Sequence, residues 1–453
     1  MGVGEYDWKL YQEAEDYLKA QVLDFLNNNK FARELAKRLE TQTSTRLFDW
    51  IDYIAIPENY IDINKLTNLN FIENKHSELP ANTRLFHNPG SIFFPVLVHK
   101  EDYFELALKV EDINDFSRIH ASGSQIEGEQ FSKLRKLEVS QEGNYRLTAV
   151  ERRGYSGFII RGSIDIAEYL TALELFSSRE RFDTNDKGLK ALEVLVRKML
   201  RELHIPRMAD AFFRAERKYW ESRNKAARAQ KARQDELGIG WGNHDHHTFR
   251  SSRGNFIHLI RILELMGMVT RESFYAGAQA GWGAQVLEHP DCNIVVFADV
   301  DMWVDEKQTD FAHTGLGSRD KLGTVGLWVG LHGESIMQAG LHHLAARVDF
   351  DNQEKELLLG QGIKIMAPFS NFKFLKQDFT YGENWQVNED RARYLFDNGL
   401  ITREQYYKFV NSGALGSHLE NIERGQGFKG FNQESVSVII SETDPRKVSK
   451  MSA

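Results

Sequence analysis

The sequence predicts an α+β fold whose C-terminal half contains two facing copies of one strand–helix–strand unit. A histidine is followed four positions later by an arginine in two similar segments, DHHTFR with His246 and Arg250, and HHLAAR with His343 and Arg347. In an extended strand, residues at even separations point to the same face. Each segment therefore presents an imidazole beside a guanidinium, as a metal ligand and a carboxylate anchor would be arranged.

A helical pattern follows each histidine strand, at residues 254–266 and 351–359, and each pattern stops at a glycine. Short apolar segments at 268–270 and 363–366 then predict a further strand in each copy. The two histidines are 343 − 246 = 97 residues apart, so the copies are modules that can each carry a small sheet rather than repeats of a solenoid. Two such modules facing each other would enclose one site.

A late segment, GSHLENIERG at residues 416–425, contains a candidate acidic ligand. Alternation places Glu420 on one face of a strand together with His418, and Glu423 on the other face. If the first face lines the same cavity, Glu420 joins the two histidines. Two imidazoles and one carboxylate on one side of a metal leave positions open opposite, which suits Fe(II) and its oxygen chemistry, while zinc, nickel and manganese stay chemically open.

These features together resemble the vicinal oxygen chelate superfamily, in which βαβββ modules are paired around a metal in a half-barrel. The resemblance rests on the DHHTFR and HHLAAR strands and on LENIERG followed by GFKGFN, and it covers residues 240–440. Within the superfamily the sequence is most similar to the 2-oxoadipate dioxygenase/decarboxylase (hydroxyglutarate synthase) family. It is more weakly similar to 4-hydroxyphenylpyruvate dioxygenase around the glutamate strand.

The resemblance implies a mononuclear non-haem Fe(II) dioxygenase that uses O2 to decarboxylate and hydroxylate a 2-oxo acid or a related carboxylate. Arg250 would hold a carboxylate of the substrate, and Arg347 matches the arginine of the second strand. We expect Gln285, His418 and Arg347 as candidates for contacts around the ligands. The implied iron ligands are His246, His343 and Glu420.

Three alternatives stay open at this point. Glu288 lies near the first-module position that corresponds to Glu420, and a fourth protein ligand would favour a Zn or Ni lyase or isomerase. The alignment puts Leu287 rather than Glu288 opposite Glu420, which favours three ligands. Asn421 stands where related strands carry an apolar residue, which leaves Glu423 as a rival ligand. A binding protein that uses the same cavity without turnover is the third alternative.

The NHDHH cluster also invites comparison with zinc hydrolases of the metallo-β-lactamase kind. That signature needs an aspartate after the second histidine of an alternating pair, whereas Asp245 lies between His244 and His246. This interpretation is therefore disfavoured.

Composition limits the class of protein. The chain has 453 residues, of which 42% are hydrophobic, and can form two sizeable cores or one integrated domain. A formal charge of −8 argues against nucleic acid as the main partner. A single cysteine, Cys292, fits a reducing compartment, and no signal peptide or membrane span is evident, so we expect a cytoplasmic protein with a small-molecule partner, with a homodimer allowed.

We divide the chain into a mixed, mainly helical N-terminal region at residues 1–237 and a two-module metal-binding catalytic domain at 238–453, with modules at about 243–303 and 340–440. Strand-like runs occupy residues 84–160. Within them, ELALKVEDINDFSRIH is a candidate degenerate copy of the module without ligands.

Three further segments carry specific expectations. The charged stretch at residues 214–238, which ends in KARQDELG, is a candidate site for an anionic partner. We expect it instead to be a solvated helix face that packs one side against the module, because glutamates are interspersed among its cations. Residues 304–322 and 387–410 are candidate lids over the metal. No glycine-rich loop has the context of a nucleotide site.

Overall fold

The computed structural model describes residues 8–75, 78–162, 164–182, 185–276, 281–352 and 355–447. Each half of the chain forms one mixed sheet, of seven strands in the N-terminal half and eight in the C-terminal half. Among the described residues, no helix has both the length and the apolar character needed to span a bilayer.

The N-terminal sheet begins with a complete βαβββ module that follows two helices. Strand β4 runs parallel to β1, and β3 and β2 continue outward in antiparallel steps. The side chain of Asn29 caps α2 by accepting a hydrogen bond from the N–H of Ala32. The elements are α1 (Gln12–Asn28), α2 (Lys30–Arg38), β1 (Ile51–Pro57), α3 (Ile63–Asn68), β2 (Ile72–Asn74), β3 (Thr83–His87) and β4 (Val96–His99).

A second module completes this sheet and confirms the predicted degenerate copy. Its strands and helix are β5 (Phe104–Lys109), α4 (Ile113–His120), β6 (Leu134–Glu142) and β7 (Tyr145–Arg152). Glu127 forms an isolated bridge with Lys136 at the place of the remaining strand. β7 is parallel to β5, and β5 pairs antiparallel with β1, so the two modules join edge to edge.

Four helices follow, α5 (Ile166–Ser178), α6 (Asn185–Met199), α7 (Ile205–Ser222) and α8 (Lys225–Asp235), so the N-terminal region contains more helical than strand residues, as predicted. These helices share a hydrophobic core with the C-terminal sheet, where Phe213 and Trp220 meet Phe249, Leu344 and Leu419. The N-terminal sheet has a core of its own. A domain boundary at residue 238 stays a prediction.

The charged stretch exposes some of its cations and packs others, as expected for a helix face with one packed side. Lys218 and Arg228 are exposed, but Arg217 and Arg233 are only 6% exposed. Arg233 is buried because it donates hydrogen bonds to the carbonyl of Gln42 and to the hydroxyl of Ser44. The stretch therefore packs between the two sheets and does not simply face water.

The first C-terminal module has the predicted order of strand, helix and further strands. Its elements are β8 (His244–Ser251), α9 (Phe256–Leu265), β9 (Val269–Ala276), β10 (Trp282–His289) and β11 (Ile294–Asp301). β11 is parallel to β8, and β10 and β9 add antiparallel strands beyond it. The αL conformation after α9 is taken by Gly267, which has a φ of 85°.

The second C-terminal module repeats this order with an insertion. β13 and β14 lie end to end along β15, and residues 364–369 pair irregularly with 377–381 at the outer edge, where the N–H of Met366 donates to Phe379. Residues 353–354 of the predicted helix lie outside the described residues. The elements from the connection onward are α10 (Phe311–Thr314), α11 (Thr324–His332), β12 (His343–Arg347), α12 (Lys355–Gly360), β13 (Leu375–Phe379), β14 (Glu383–Trp385), α13 (Glu389–Asp397), α14 (Arg403–Ser412), β15 (Ala414–Arg424) and α15 (Gln433–Glu442).

The two C-terminal modules meet where β12 pairs antiparallel with β8, and β15 lies parallel to β12 on its other side. This is the paired βαβββ half-barrel that the sequence predicted. The order of strands across the junction brings β8, β12 and β15 side by side at the centre of the sheet.

The lid expectation is not met. The segment 387–410 does form two helices, but α13 and α14 bury their apolar sides against α11, in a cluster that contains Leu327, Leu395 and Phe409. Neither this segment nor residues 304–322 line the pocket around His246. Helix α15 lies over that pocket instead, with Val436 and Ile440 in its wall.

Candidate metal centre

Three side chains from the three central strands meet in one buried pocket. His246 on β8, His343 on β12 and Glu420 on β15 offer ligand atoms that all lie within 4.8 Å of one another. Nε2 of His246 lies 3.2 Å from Oε2 of Glu420, and Nε2 of His343 lies 3.0 Å from the same oxygen. All three residues are less than 9% exposed.

Strand register explains why residues so far apart in sequence converge. Ala345 pairs with His246 on one side and with Glu420 on the other, and His343 precedes Ala345 by two residues on the same face. Neighbouring strands are about 4.8 Å apart. Three side chains on one face of three adjacent strands can therefore point at one position.

A bulge in β8 supplies the partner of the first histidine. Ala345 pairs with His246 and Ala346 with His244, so Asp245 is the extra residue. Its Oδ1 lies 2.9 Å from Nδ1 of His246, which leaves Nε2 of that ring to face Glu420. A carboxylate on the far nitrogen of a metal-bound histidine fixes the tautomer and raises the basicity of the ligand.

Two arginines hold the carboxylate of Asp245. Arg424 donates from Nε and Nη2 at 2.9 and 3.0 Å, and Arg347 donates from Nε at 3.1 Å. Arg424 makes the pKa of Asp245 much lower than usual, against the effect of burial. Arg347 thus lies behind His246 and does not line the pocket.

The electrostatics of the pocket favour a cation. Burial alone would lower the pKa of His246, but Glu420 and Asp245 together raise it to about 9. Burial would raise the pKa of Glu420, but the two histidines hold it far below the ordinary value. One ionised carboxylate oxygen between two imidazole nitrogens is a donor set that fits a divalent metal.

The pocket is small, with a volume of about 30 Å³. Gln377 donates to Oε1 of Glu420 at 2.8 Å and so fixes which carboxylate oxygen faces the histidines. The ring of Phe431 lies 5.3 Å from that of His246 and 4.3 Å from that of Phe297. Aromatic rings and α15 therefore exclude bulk water from the three ligand atoms.

Arg250 lines this pocket, on the same face of β8 as His246. It is 3% exposed, and its guanidinium makes one loose ion pair with Asp299 at 3.8 Å. No hydrogen bond from that guanidinium joins it to the described part of the chain. Burial lowers the pKa of Arg250 to about 10 and raises the pKa of Asp299 to about 7. A buried, loosely paired guanidinium is suited to binding a carboxylate that enters the pocket.

Sequence reasoning missed a second histidine cluster beside the first. His342, His343 and His418 also bring three ring nitrogens within 4.8 Å of one another. The rings of His343 and His418 stack at 4.8 Å, because the two residues are direct partners in the parallel ladder of β12 and β15. The signal was present in HHLAAR and GSHLEN, but only the register between the strands aligns them.

Other candidates lie outside the pocket. Gln285 donates to the carbonyls of Glu272 and Val286, so it is not a neighbour of the ligands. Glu423 pairs with Arg46 and Lys376 on the opposite face of β15.

Glu288, the proposed fourth ligand, pairs with Arg271 and Lys429 and lines a different cavity. His244 also lines that cavity, and its Nδ1 lies 3.0 Å from the carbonyl of Trp241. Neither side chain lines the pocket around Glu420.

The N-terminal sheet repeats the geometry of this centre with other residues. Ala107 on β5 pairs with Tyr53 on one side and with Thr148 on the other. In the C-terminal sheet, Ala345 pairs with His246 and Glu420 in the same arrangement. Glu105 takes the position of His343 by the same register. The three ligand positions are thus occupied by a tyrosine, a glutamate and a threonine, and Tyr53 accepts a hydrogen bond from a lysine at 2.9 Å.

The supporting aspartate is repeated as well. Asp52 is the extra residue in a bulge of β1 at the position equivalent to Asp245, and Arg152 donates to both of its oxygens at 2.8 and 2.9 Å. Arg152 lies four residues after Thr148, as Arg424 lies four residues after Glu420. The bulge and its arginine are therefore common to both sheets, whereas among the described residues the metal-ligand set is found in the second sheet alone.

No protein-family model and no curated protein matches the sequence. Among solved structures, a mutant of 4-hydroxymandelate synthase from Streptomyces coelicolor is 12% identical and covers 88% of this chain and 98% of its own, with a TM-score of 0.28. A protein described as a putative glyoxalase superfamily member from Ralstonia eutropha is 12% identical over 58% of this chain and 96% of its own, with a TM-score of 0.32. A methylmalonyl-CoA epimerase from Mycobacterium tuberculosis is 13% identical over 41% and 89%, with a TM-score of 0.23. At such values these similarities carry no argument about activity.

Proposed function

We propose that the protein is a mononuclear non-haem Fe(II) dioxygenase that oxidatively decarboxylates and hydroxylates a 2-oxo acid or a related carboxylate. The observation that carries the proposal is one pocket that combines two imidazoles, one carboxylate and a loosely paired guanidinium. Two histidines and one carboxylate leave open coordination positions for substrate and O2. Bound Fe(II) would supply the activation of O2 and the chelation of the 2-oxo acid.

The proposed ligands are His246, His343 and Glu420. With a metal bound, Asp245 would hold the proton of His246 on Nδ1, by accepting a hydrogen bond from it, and would so leave Nε2 free for the metal. Gln377 would orient Glu420 through the oxygen that does not face the histidines. The aromatic wall and α15 would keep water away from the reacting centre.

Arg250 is the proposed carboxylate anchor. Its planar guanidinium can form two parallel hydrogen bonds with a carboxylate, which a lysine cannot reproduce. Asp299 lies 3.8 Å from this guanidinium and has a pKa of about 7. It could therefore take up a proton when the substrate binds, which would leave Arg250 free to pair with the substrate carboxylate. Arg347 is proposed as a positioning residue that acts through Asp245.

A Zn or Ni lyase or isomerase with four protein ligands has less support. Its fourth ligand would be Glu288, which is engaged with Arg271 and Lys429 and lines another cavity. A binding protein without turnover uses the same pocket, and the metal and activity measurements separate it from the enzyme.

The test begins with protein purified without oxygen and loaded with Fe(II). One iron per chain, with O2 uptake and CO2 release on one member of a panel of 2-oxo acids, is the expected result. Glu420→Gln should remove iron and turnover together, whereas Glu423→Gln, on the other face of the same strand, should keep both. Tight zinc or nickel without O2 uptake would overturn the oxygenase proposal.

Arg250→Lys gives a second measurement that depends on the anchor alone. We expect iron to bind normally and KM for the acid to rise by about tenfold or more, because a charge-assisted bidentate contact is worth roughly 1.5–3 kcal/mol. An unchanged KM would remove Arg250 from the substrate site.

A further inference from the structure

A second and much larger cavity lies between the two sheets, with a volume of about 600 Å³. It is lined by both halves of the chain, and the exposed residues Asn74, Pro290 and Asn293 lie along its wall, so it opens to water there. Phe431 belongs to the walls of both this cavity and the metal pocket. The cavity therefore adjoins the metal centre but does not include the three ligands.

Most carboxylates of this cavity already have a cation. Asp52 pairs with Arg152 at 2.8 Å, and Asp210 pairs with Arg214 at 2.9 Å. The same is true of the remaining acidic groups that make ion pairs there, which are Glu15, Asp49, Glu111, Asp245 and Glu288. These carboxylates are therefore engaged with other cations, although Asp52 also lies near Lys109, and Glu111 and Asp210 lie near Arg217. Asp291, also in the wall, accepts a hydrogen bond from Ser156.

Two cations in the wall are different. Lys109 and Arg217 make no ion pair within the described residues. Within the described part of the chain, the one side-chain hydrogen-bond contact of Arg217 is from Nη1 to Nε2 of His247 at 3.3 Å, and its buried Nε has no acceptor there. Burial lowers the pKa of Lys109 to about 8, helped by the charges of Arg217 and Arg347 and opposed by Asp52.

A buried cation without a counter-ion destabilises a fold unless hydrogen bonds or a bound anion compensate for its lost hydration. Here the two unpaired cations share one water-accessible cavity with Arg347. The carboxylate partner of Arg347 is Asp245, which also accepts two hydrogen bonds from Arg424. Arg347 can therefore turn toward a new anion without leaving Asp245 unpaired. Three cationic groups around one cavity are complementary to a small dianion.

We propose that the cavity between the two sheets is a second ligand site, for a compact dianion such as a dicarboxylate or inorganic phosphate, held by Lys109, Arg217 and Arg347. The site does not include the three proposed metal ligands, and it shares only Arg347 with the residues that support them. Its chemistry suits either oxyanion, because both present several acceptor oxygens to guanidinium and ammonium groups.

The test is calorimetric titration of the metal-loaded protein with phosphate and, separately, with succinate. We expect saturable binding of at least one of them at one site per chain, weakened by about tenfold or more in Lys109→Met and in Arg217→Met. Arg118→Met, which removes an exposed cation outside the cavity, should bind both anions as the unmodified protein does. Which of the two anions binds distinguishes a phosphate site from a dicarboxylate site.

Thermal unfolding provides a readout that a purely structural role would not give. In buffer without phosphate or dicarboxylates, Lys109→Met should have a higher Tm than the unmodified protein, because it removes an unpaired buried charge. The same variant should lose the rise in Tm that the bound anion causes. Absence of binding in the millimolar range, or binding that neither Lys109→Met nor Arg217→Met weakens, would overturn the proposal.

Discussion

The replacement Asp245→Asn tests whether the bulge residue supports the metal centre. The carboxylate of Asp245 accepts one hydrogen bond from His246, two from Arg424 and one from Arg347. An asparagine has one acceptor oxygen, and its amide nitrogen can only donate. Either the histidine or the arginines must therefore face a donor where they now have an acceptor.

The size of the effect follows from these contacts. Loss of the partner of a metal-binding histidine costs about 10- to 100-fold in metal affinity, which is roughly 1.4–2.8 kcal/mol. The loss of a buried ion-pair partner costs about 3–5 kcal/mol of folding stability. We expect the lower part of that range, because Arg424 also donates to the carbonyls of Phe428 and Gly430.

The chain contains a matched control. Asp52→Asn changes the equivalent bulge residue of the N-terminal sheet, which is bonded to Arg152 in the same way. Chelator competition would measure metal affinity and denaturant unfolding would measure stability, both on the two variants side by side. We expect both to lose stability and only Asp245→Asn to lose metal affinity. Equal metal affinities in the two variants would refute the assignment of Asp245.

Three further predictions concern titration and packing. Below pH 9, metal binding should release a proton, because His246 is protonated in the metal-free protein. The metal affinity measured by chelator competition should therefore rise with pH up to about 9. A flat pH profile would contradict this. Asp299 has a raised pKa of about 7, so the folded state holds its proton more tightly than the unfolded chain, and stability should fall as pH rises from about 4 to 7. Asp299→Asn should reduce the dependence of the unfolding free energy on pH between about 4 and 7. An unchanged pH dependence would count against the raised pKa of Asp299. Gly416→Ala should cost about 1–3 kcal/mol, since a Cβ there would lie 2.1 Å from the ring of Trp385, whereas Gly254→Ala meets nothing within 4 Å and serves as the control.

The sequence predicted much of the second half and little of the first. The two histidine strands are recognisable because a helix follows each polar signature, so the sequence alone predicts His246 and His343 as ligands. The GSHLENIERG segment adds Glu420 to that prediction. The N-terminal modules carry no such signature: the positions of the ligands hold Tyr53, Glu105 and Thr148, and only the ladder of β1, β5 and β7 aligns them. The position of one strand is occupied by the isolated bridge between Glu127 and Lys136, and no alternation of polar and apolar residues in the sequence indicates a strand there.

Other features depend on tertiary contacts that local patterns do not encode. The role of Asp245 follows from a bulge, and a bulge shifts the alternation that sequence reasoning relies on. The helices at 387–410 were predicted correctly, but not the surface that they cover. Their apolar faces could pack on α11 or over the metal pocket, and the sequence does not distinguish these two positions. The same limit applies to Arg217, whose burial depends on the second sheet.

The position of the three proposed ligands sets an order for assembly of the site. His246, His343 and Glu420 belong to strands that are distant in sequence, and β15 is the last strand of its sheet to leave the ribosome. A growing chain therefore holds both histidines for some time before the carboxylate exists to join them. Metal that binds all three would link the two modules across their shared edge, so it can add to stability only after both have folded.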